Sequence, residues 1–184
     1  MPFQNHYNID RLKLPHYGKD IMVRAVFPGS FDPPTYGHLN IIERSSVLFE
    51  ELLVVIAVNR SKDSLFSAEE RVAFMKKLLE PYPTVSVHTC DTLVVDFAKK
   101  QNCKVLIRGV RSVQDFSYEF ELSIMNKGLD PDIETIFIPT DPKYFVLRSS
   151  AIKELASFGG RIETMVPPLV AESIRQKFGS AYNT

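Results

Sequence analysis

The chain has 184 residues, 45% hydrophobic and 24% charged, a composition typical of a soluble globular protein with a real core. Its 22 basic residues balance 22 acidic ones, which argues against a broad nucleic-acid-binding surface, because such surfaces need excess positive charge. No apolar run reaches the length of a membrane span, and no signal peptide opens the chain. We therefore expect a cytoplasmic protein without membrane or nucleic-acid partners.

Residues 1–21 mix polar and apolar side chains without a clear period. We interpret them as an N-terminal extension, either derived from cloning or disordered, with Met22 as an alternative first residue. Residues 22–184 are expected to form one domain. The two cysteines, Cys90 and Cys103, are too few for a disulfide framework and are expected to be buried free thiols.

Strand-like and helical patterns alternate from residue 23 onwards. The runs rich in Val, Ile and Leu are Val23–Phe27, Leu52–Val58, Val85–His88, Lys104–Ile107 and Glu134–Ile138. Helical patterns cover about 39–50, 67–80, 93–102, 112–129, 149–160 and 167–178. The second of these starts with Ser67 and Glu70 in the spacing of a capping box. This alternation predicts an α/β fold with a Rossmann-like, doubly wound, five-stranded parallel sheet and helices on both faces. Ligands of such sheets bind beyond the carboxyl ends of the strands.

The stretch "GSFDPPTYGH", Gly29 to His38, lies at such a carboxyl end. Gly29 permits a tight turn, and a helix is expected to begin near residues 35–38. Backbone N–H groups at that helix start bind phosphate, aided by the helix dipole. His38 lies in the first turn and can donate a hydrogen bond to a phosphoryl oxygen. The pattern also fits a capped helix with a surface histidine.

Three cationic residues follow predicted strands. Lys62 lies just past the second strand, and Arg108 and Arg111 flank Gly109 after the fourth. Cations at the carboxyl edge of a sheet indicate anion binding. A solvated lysine and a pair of surface salt bridges are the alternatives for these residues.

The segment "PGSFDPPTYGH" resembles the (H/T)xGH signature of the nucleotidyltransferase superfamily, which binds a triphosphate and stabilises nucleotidyl transfer. Three later segments, "NRSKDSLFSAEERV", "LIRGVRSVQDFSYEFELSIMNKGLDP" and "YFVLRSSAIKEL", resemble the bacterial phosphopantetheine adenylyltransferase family. The resemblance covers about residues 23–178. It implies a single nucleotidyltransferase domain over 22–184 that takes part in coenzyme A biosynthesis. The implied reaction transfers AMP from ATP to 4′-phosphopantetheine, giving dephospho-coenzyme A and pyrophosphate.

The resemblance also implies roles for individual residues. His38 is the expected transition-state stabiliser. The expected ATP-binding residues are Ser30, Phe31, His38, Gly109, Val110, Arg111, Glu119, Tyr144, Phe145, Val146, Leu147, Arg148, Ser149 and Ser150. The expected acceptor-binding residues are Ser30, Lys62, Val94 and Arg108.

Some of these positions fit simpler structural roles as well. Glu119 fits a solvated helix residue, Val94 fits a core valine, and Ser149 and Ser150 fit helix caps. Arg148 departs from the family, whose turn usually has a serine there, and places a fixed charge near the triphosphate. The family pattern therefore does not say which groups Arg148 contacts.

The implied reaction needs few protein groups. A phosphate acceptor is largely dianionic at neutral pH, because its second pKa is about 6, so no general base is required. We expect in-line attack on the α-phosphorus, assisted by Mg²⁺ held mainly by ATP phosphates and water. The sequence has no histidine or carboxylate cluster that predicts a protein-built metal site. The family further suggests a homohexamer and inhibition by coenzyme A.

Three alternatives share part of the evidence. A nicotinate or nicotinamide mononucleotide adenylyltransferase has the first motif but usually a histidine at the position of Thr35, with an Ile-Ser-Ser-Thr-x-x-Arg turn. A glycerol-phosphate-type cytidylyltransferase has a different second motif. A non-catalytic nucleotide-sensing protein would not need the set Ser30, His38, Lys62, Arg108 and Arg111.

Overall fold

The computed structural model describes residues 23–59, 63–145 and 147–179. Within these ranges the strands are β1 (Arg24–Gly29), β2 (Glu51–Ala57), β3 (Val85–Cys90), β4 (Val105–Val110) and β5 (Glu134–Pro139). The α-helices are α1 (Tyr36–Ser46), α2 (Ala68–Leu79), α3 (Val94–Lys100), α4 (Val113–Leu129), α5 (Ser149–Ser157) and α6 (Pro168–Lys177). A short 3₁₀ helix, Pro142–Tyr144, follows β5.

The strands form one parallel sheet in the order β3–β2–β1–β4–β5. From β1 the chain builds outward through β2 and β3, then crosses over to β4 and β5 on the other side. β1 and β4 are thus the switch point of the sheet, where ligands bind in open α/β folds. The predicted fold class is confirmed.

Successive strand residues face two apolar layers, because side chains alternate along a strand. Ala25 and Phe27 of β1 belong to a buried cluster that includes residues of α1 and α2. Val26 belongs to a second cluster, which includes residues of α3 and both cysteines. Cys90 and Cys103 are buried free thiols, as predicted.

A third buried cluster connects the C-terminal helices to α2 and to the residues just before it. It contains Phe66 and Phe74 together with Ile152 of α5 and Ile174 of α6. The backbone N–H of Tyr36 also donates to the carbonyl of Met165 at 3.1 Å. This packing holds the start of α5 beside the start of α1, at the carboxyl edge of the sheet.

The two central strands are paired over only a short length. β1 and β4 share the register pairs Ala25↔Val105 and Val26↔Leu106, whereas β1 and β2 are paired over the whole of β1. The carboxyl halves of β1 and β4 therefore diverge and leave a crevice between them.

The first strand runs two residues past its predicted end, to Gly29, and the tight turn follows it. The left-handed backbone conformation in this turn belongs to Phe31, with φ 47°. Gly29 is needed for close approach, since a Cβ there would lie 3.0 Å from the ring of Phe31. The buried aromatic ring offsets the unfavourable conformation of its own backbone.

The capping of α2 is as predicted from Ser67 and Glu70. The Ser67 hydroxyl accepts the Glu70 N–H at 3.2 Å, and the Glu70 carboxylate accepts the Ser67 N–H at 2.7 Å. In the described ranges, no helix combines the length and apolar character needed to cross a membrane.

Candidate active site

A cleft of about 420 Å³ opens at the carboxyl edge of the sheet, where β1 and β4 diverge. Its walls come from the turn after β1, the first turn of α1, the end of β4, the start of α4 and the start of α5. Residues predicted from the sequence that line it are Ser30, His38, Arg108, Gly109, Arg111, Glu119, Leu147, Arg148, Ser149 and Ser150. Lys62 and Val146 lie outside the described residues.

His38 is the third residue of α1 and is held by a reciprocal capping box with Thr35. The Thr35 hydroxyl accepts the His38 backbone N–H at 3.3 Å, and the Thr35 backbone N–H donates to His38 Nδ1 at 3.0 Å. Nδ1 is thus an acceptor, and the proton of the neutral ring resides on Nε2. The ring presents a donor, not an acceptor, at its other nitrogen.

The charge state of His38 follows from its surroundings. Burial is the main cause that lowers the pKa of His38 from 6.5 to about 4, and the positive charge of Arg111 adds to it. The imidazole is therefore neutral near pH 7. A neutral Nε2–H can donate a hydrogen bond to a phosphoryl oxygen without transferring a proton.

Phe31 and Ser30 support the turn in different ways. Phe31 is buried, and its ring meets the His38 ring edge-on at a centroid distance of 5.0 Å. Ser30 is exposed at the cleft, and its carbonyl accepts a hydrogen bond from Arg71 Nη1 at 2.8 Å. Phe31 thus fixes the position of the imidazole, while Ser30 is an exposed residue of the cleft wall.

Arg108, on β4, is held in a fixed orientation by Glu119 of α4. Arg108 Nε donates to Glu119 Oε2 at 2.5 Å and Nη2 donates to Oε1 at 2.7 Å, a bidentate pair. Arg108 Nη1 donates to the carbonyl of Pro28 at 3.1 Å. The Glu119 side chain is only 14% exposed, so it is not a solvated helix residue.

Arg111 pairs with Asp115, a residue that the sequence analysis did not single out. Arg111 Nε donates to Asp115 Oδ2 at 2.7 Å, and Arg111 Nη1 donates to the Leu147 carbonyl at 3.2 Å. Arg148 Nη2 lies 3.6 Å from Asp115 Oδ1. The i,i+4 spacing of Arg111 and Asp115 was the available signal for this pair.

The start of α5 differs from the capping predicted for Ser149 and Ser150. Arg148 is the N-cap residue and makes no side-chain capping hydrogen bond. The Ser149 hydroxyl donates instead to the Pro33 carbonyl at 2.9 Å, because the turn after β1 packs against it. Serine-based capping is therefore wrong, and this hydrogen bond connects α5 to the turn.

Asp32 and Lys153 form a second ion pair that the sequence analysis missed. Asp32 is buried, accepts the backbone N–H groups of Leu65 and Phe66 at 3.0 and 2.9 Å, and accepts Lys153 Nζ at 2.9 Å. One carboxylate thus connects the turn, the segment before α2, and α5. Its place inside the "GSFDPP" segment was the only signal in the sequence.

The other predicted residues lie around the cleft but do not line it. Val94 begins α3 and packs against the second core cluster. Val110 ends β4, and its carbonyl accepts the N–H of Thr140 at 2.9 Å. Tyr144 stacks on Tyr36 with centroids 6.4 Å apart. Phe145 is exposed.

The carboxylates that line the cleft are each paired with a cation. Asp32 is paired with Lys153, Asp115 with Arg111, and Glu119 with Arg108. Across the part of the chain that is described, no group of three or more His, Cys, Asp or Glu side chains is placed to hold a metal ion. These side chains fit a metal ion bound through ligand phosphates better than one held in a protein cage.

Comparison with known proteins agrees with this geometry. Residues 26–155 match the cytidylyltransferase-like family, which is more than half of the chain. A phosphopantetheine adenylyltransferase from Caldanaerobacter subterraneus subsp. tengcongensis is 47% identical, covering 84% of this chain and 96% of that one. One from Dictyoglomus thermophilum is 48% identical, covering 86% and 96%.

A solved structure shows the same fold at low sequence similarity. A Vibrio parahaemolyticus protein assigned as a nicotinate-nucleotide adenylyltransferase superposes with a TM-score of 0.66, covering 89% of this chain and 98% of that one. Its 17% identity bears on the fold alone. The nearly full-length identity of 47–48% is the decisive finding, and the chain belongs to the phosphopantetheine adenylyltransferase family, within the cytidylyltransferase-like fold.

Proposed function

We propose that this protein transfers AMP from ATP to 4′-phosphopantetheine, giving dephospho-coenzyme A and pyrophosphate. The observation that carries the proposal is the identity of 47–48% with phosphopantetheine adenylyltransferases over nearly their whole length. The cleft agrees with it, because a neutral histidine and three arginines surround a space at the switch point of the sheet. Because the chain has no net charge, it can bind two anionic substrates only where hydrogen-bond donors and cations are concentrated at one place.

In the proposed reaction a phosphate oxygen of the acceptor attacks the α-phosphorus of ATP, and the bond to the leaving pyrophosphate breaks. The acceptor is already ionised at neutral pH, so no side chain has to remove a proton. His38 Nε2–H donates to an α-phosphoryl oxygen as negative charge develops there. Catalysis rests on positioning and charge stabilisation.

The remaining residues divide between the two substrates in this proposal. Arg108 and Lys62 bind the acceptor phosphate, and Ser30 lies between the acceptor and ATP. Arg111, Arg148 and the start of α5 bind the triphosphate. The positions of the two arginines support this division. Arg108 is on β4, whereas Arg111 donates to the carbonyl of Leu147, just before α5.

The cofactor is proposed to be Mg²⁺, bound mainly by the phosphates of ATP and by water. It would supply charge neutralisation at the triphosphate. The pairing of Asp115 and Glu119 with arginines supports this assignment, since neither carboxylate needs a metal ion to balance its charge.

We further propose a homohexamer, because α4 has an apolar surface that needs a partner. None of its residues is buried, and its large exposed side chains are Val113, Phe116, Tyr118, Phe120, Ile124, Met125 and Leu129. Exposed apolar side chains in such number on one helix mark interaction sites. The family resemblance supplies the partner, further copies of the chain.

Two expectations complete the proposal. Coenzyme A contains the pantetheine arm and the adenylate of the product, so it should compete for the same cleft as an inhibitor. The protein is proposed to act in the cytoplasm, where a free-thiol protein of this composition fits the redox conditions.

The test is pyrophosphate release with each candidate acceptor in turn, in the presence of ATP and magnesium. We expect release with 4′-phosphopantetheine and none with nicotinamide mononucleotide. Turnover with the mononucleotide alone would overturn the choice of acceptor and retain the type of reaction. ATP binding without turnover on any acceptor would indicate a nucleotide-sensing protein.

A further inference from the structure

Asp115 contacts two arginines that come from different parts of the chain. Arg111 Nε donates to its Oδ2 at 2.7 Å, and Arg148 Nη2 lies 3.6 Å from its Oδ1. The backbone of Asp115 is fixed as well, because its N–H donates to the N-cap hydroxyl of Ser112 at 3.1 Å. All three charged residues line the cleft.

The carboxylate has an electrostatic effect on both guanidiniums. The two guanidiniums carry like charges and repel each other. A carboxylate in contact with both offsets this repulsion with two attractions. The Asp115 side chain is 17% exposed, so solvent screens it only partly. Arg148 is 52% exposed, and among the described residues its side chain has an ion pair with Asp115 alone.

The contacts of Arg111 leave one end of its guanidinium available. Nε and Nη1 are used by Asp115 and by the Leu147 carbonyl. Nη2 has no hydrogen-bond acceptor among the residues described. Because Leu147 directly precedes Arg148, Arg111 is connected to Arg148 both through the backbone and through Asp115.

We propose that Asp115 is a positioning residue that holds Arg111 and Arg148 together as a two-guanidinium site for the polyphosphate end of ATP. The proposal rests on ATP as a substrate in the proposed function. A carboxylate in direct contact with a polyphosphate would weaken binding by repulsion, so its presence at this place is explained by the order it imposes on the two cations. The arrangement depends on Arg148, where the family usually has serine.

A purely structural role makes a different prediction. Arg111 precedes the N-cap of α4, so a structural salt bridge with Asp115 would fix only the start of the helix and would have no consequence for nucleotide affinity. A positioning role makes the effects of Asp115 and Arg148 depend on one another, which a double-mutant cycle detects.

The experiment measures binding of ATP and of inorganic pyrophosphate by calorimetry, without acceptor, for Asp115→Asn, Arg148→Ser and the double variant. We expect Asp115→Asn to weaken both ligands by about 5- to 20-fold and Arg148→Ser by about 3- to 10-fold. The affinity of the double variant for each ligand should lie within about twofold of that of the weaker-binding single variant. The control is Glu121→Gln, an exposed carboxylate on the same helix, which should bind like the wild type.

The proposal is overturned by effects that multiply in the double variant and by unchanged affinity in Asp115→Asn. Arg148 is exposed and its substitution leaves the core intact, so unchanged affinity in Arg148→Ser overturns the proposal even if Asp115→Asn does not fold. Because the experiment contains no acceptor, its outcome does not depend on whether 4′-phosphopantetheine is the correct acceptor. A wild-type protein that binds neither anion overturns both proposals.

Discussion

The backbone N–H of Thr35 donates to His38 Nδ1 at 3.0 Å, so the main chain itself determines which nitrogen of this imidazole in the cleft carries the proton. In a common capping box, Glu or Gln occupies the position of this histidine. Here the same geometry both starts α1 and fixes a ring tautomer. Structure and proposed chemistry therefore depend on one pair of hydrogen bonds.

Replacing His38 with Ala or Gln separates these two roles. The Ala variant loses the Nε2–H donor, so we expect its turnover to fall by roughly 10²- to 10³-fold, the usual loss for one preorganised donor. The Gln variant keeps an amide N–H on a more flexible side chain, so we expect a smaller loss of turnover from it. Gln can restore the capping box and Ala cannot, so only Ala should lower the melting temperature. ATP affinity should change far less than turnover.

Single-turnover rates and ATP binding, measured on the same preparations, provide the comparison. Near-normal turnover in His38→Ala would reduce His38 to a helix cap. An equal loss of ATP affinity and turnover would make it a ground-state ligand.

The lowered pKa of His38 predicts a dependence of stability on pH. Between pH 6.5 and about 4 the unfolded chain binds a proton at this ring while the folded protein does not. The stabilisation present above pH 6.5 is therefore lost progressively as the pH falls to about 4, and no further loss comes from this group below it. The urea midpoint of the wild type should fall more steeply over this window than that of His38→Gln.

His88 is the matched comparison for that experiment. Burial also lowers its pKa, and its Nε2 lies 2.8 Å from the Ser86 hydroxyl, away from the cleft. His88→Gln should change the pH dependence of stability without changing turnover. Identical curves for the wild type and His38→Gln would contradict a neutral, buried His38.

Replacing Lys62 with Ala tests the acceptor site. Losing a charged hydrogen bond to the acceptor phosphate should raise the acceptor KM by about tenfold or more, with ATP affinity within about twofold of the wild type. Lys104→Ala is the control, since Lys104 pairs with Asp132 at the amino edge of the sheet. Lost ATP binding with unchanged acceptor use would reverse the assignment.

Asp32→Asn should destabilise the fold. The variant removes the charge that accepts two backbone N–H groups and the ammonium of Lys153, at a side chain only 6% exposed. Charged hydrogen bonds of this kind contribute about 1.5–3 kcal/mol. Chemical unfolding measures the loss, and Asp63→Asn, at an exposed position nearby, should show none. If Asp32→Asn unfolds at the same midpoint as the wild type, the Asp32 carboxylate is dispensable for stability.

Ile124→Glu should disrupt the proposed assembly. Ile124 is 59% exposed on the apolar side of α4, so a buried charge at an interface there would be costly, whereas the isolated fold loses no core contact. Light scattering should give the mass of six chains for the wild type and a smaller mass for the variant. The same mass for both would exclude this face from the interface.

The sequence predicted the sheet and the location of the cleft because both depend on local patterns. The apolar run Leu52–Val58 and the Ser67/Glu70 capping box are local signals, and both appear in the structure within one residue. The pairs Arg108–Glu119 and Asp32–Lys153 depend on tertiary geometry. Charges brought together from separate elements give no local pattern, so neither of these two pairs was predicted.

The turn after β1 shows a second kind of limit. The tight turn was expected from Gly29, and glycine adopts the left-handed conformation without steric cost. The structure has it at Phe31, whose buried ring contacts Phe27 and His38. Tertiary packing of an aromatic ring overrides backbone preference here, and a rule based on residue type cannot anticipate that.

The short pairing of β1 with β4 has one more consequence. A complete ladder between the two central strands would use up their peptide groups as far as their carboxyl ends. This sheet stops its ladder after Leu106, and Arg108 donates to the carbonyl of Pro28 across the space where strand pairing would continue. The binding site is therefore an interruption of the sheet's own hydrogen bonding, at which side chains and ligands take the place of a neighbouring strand.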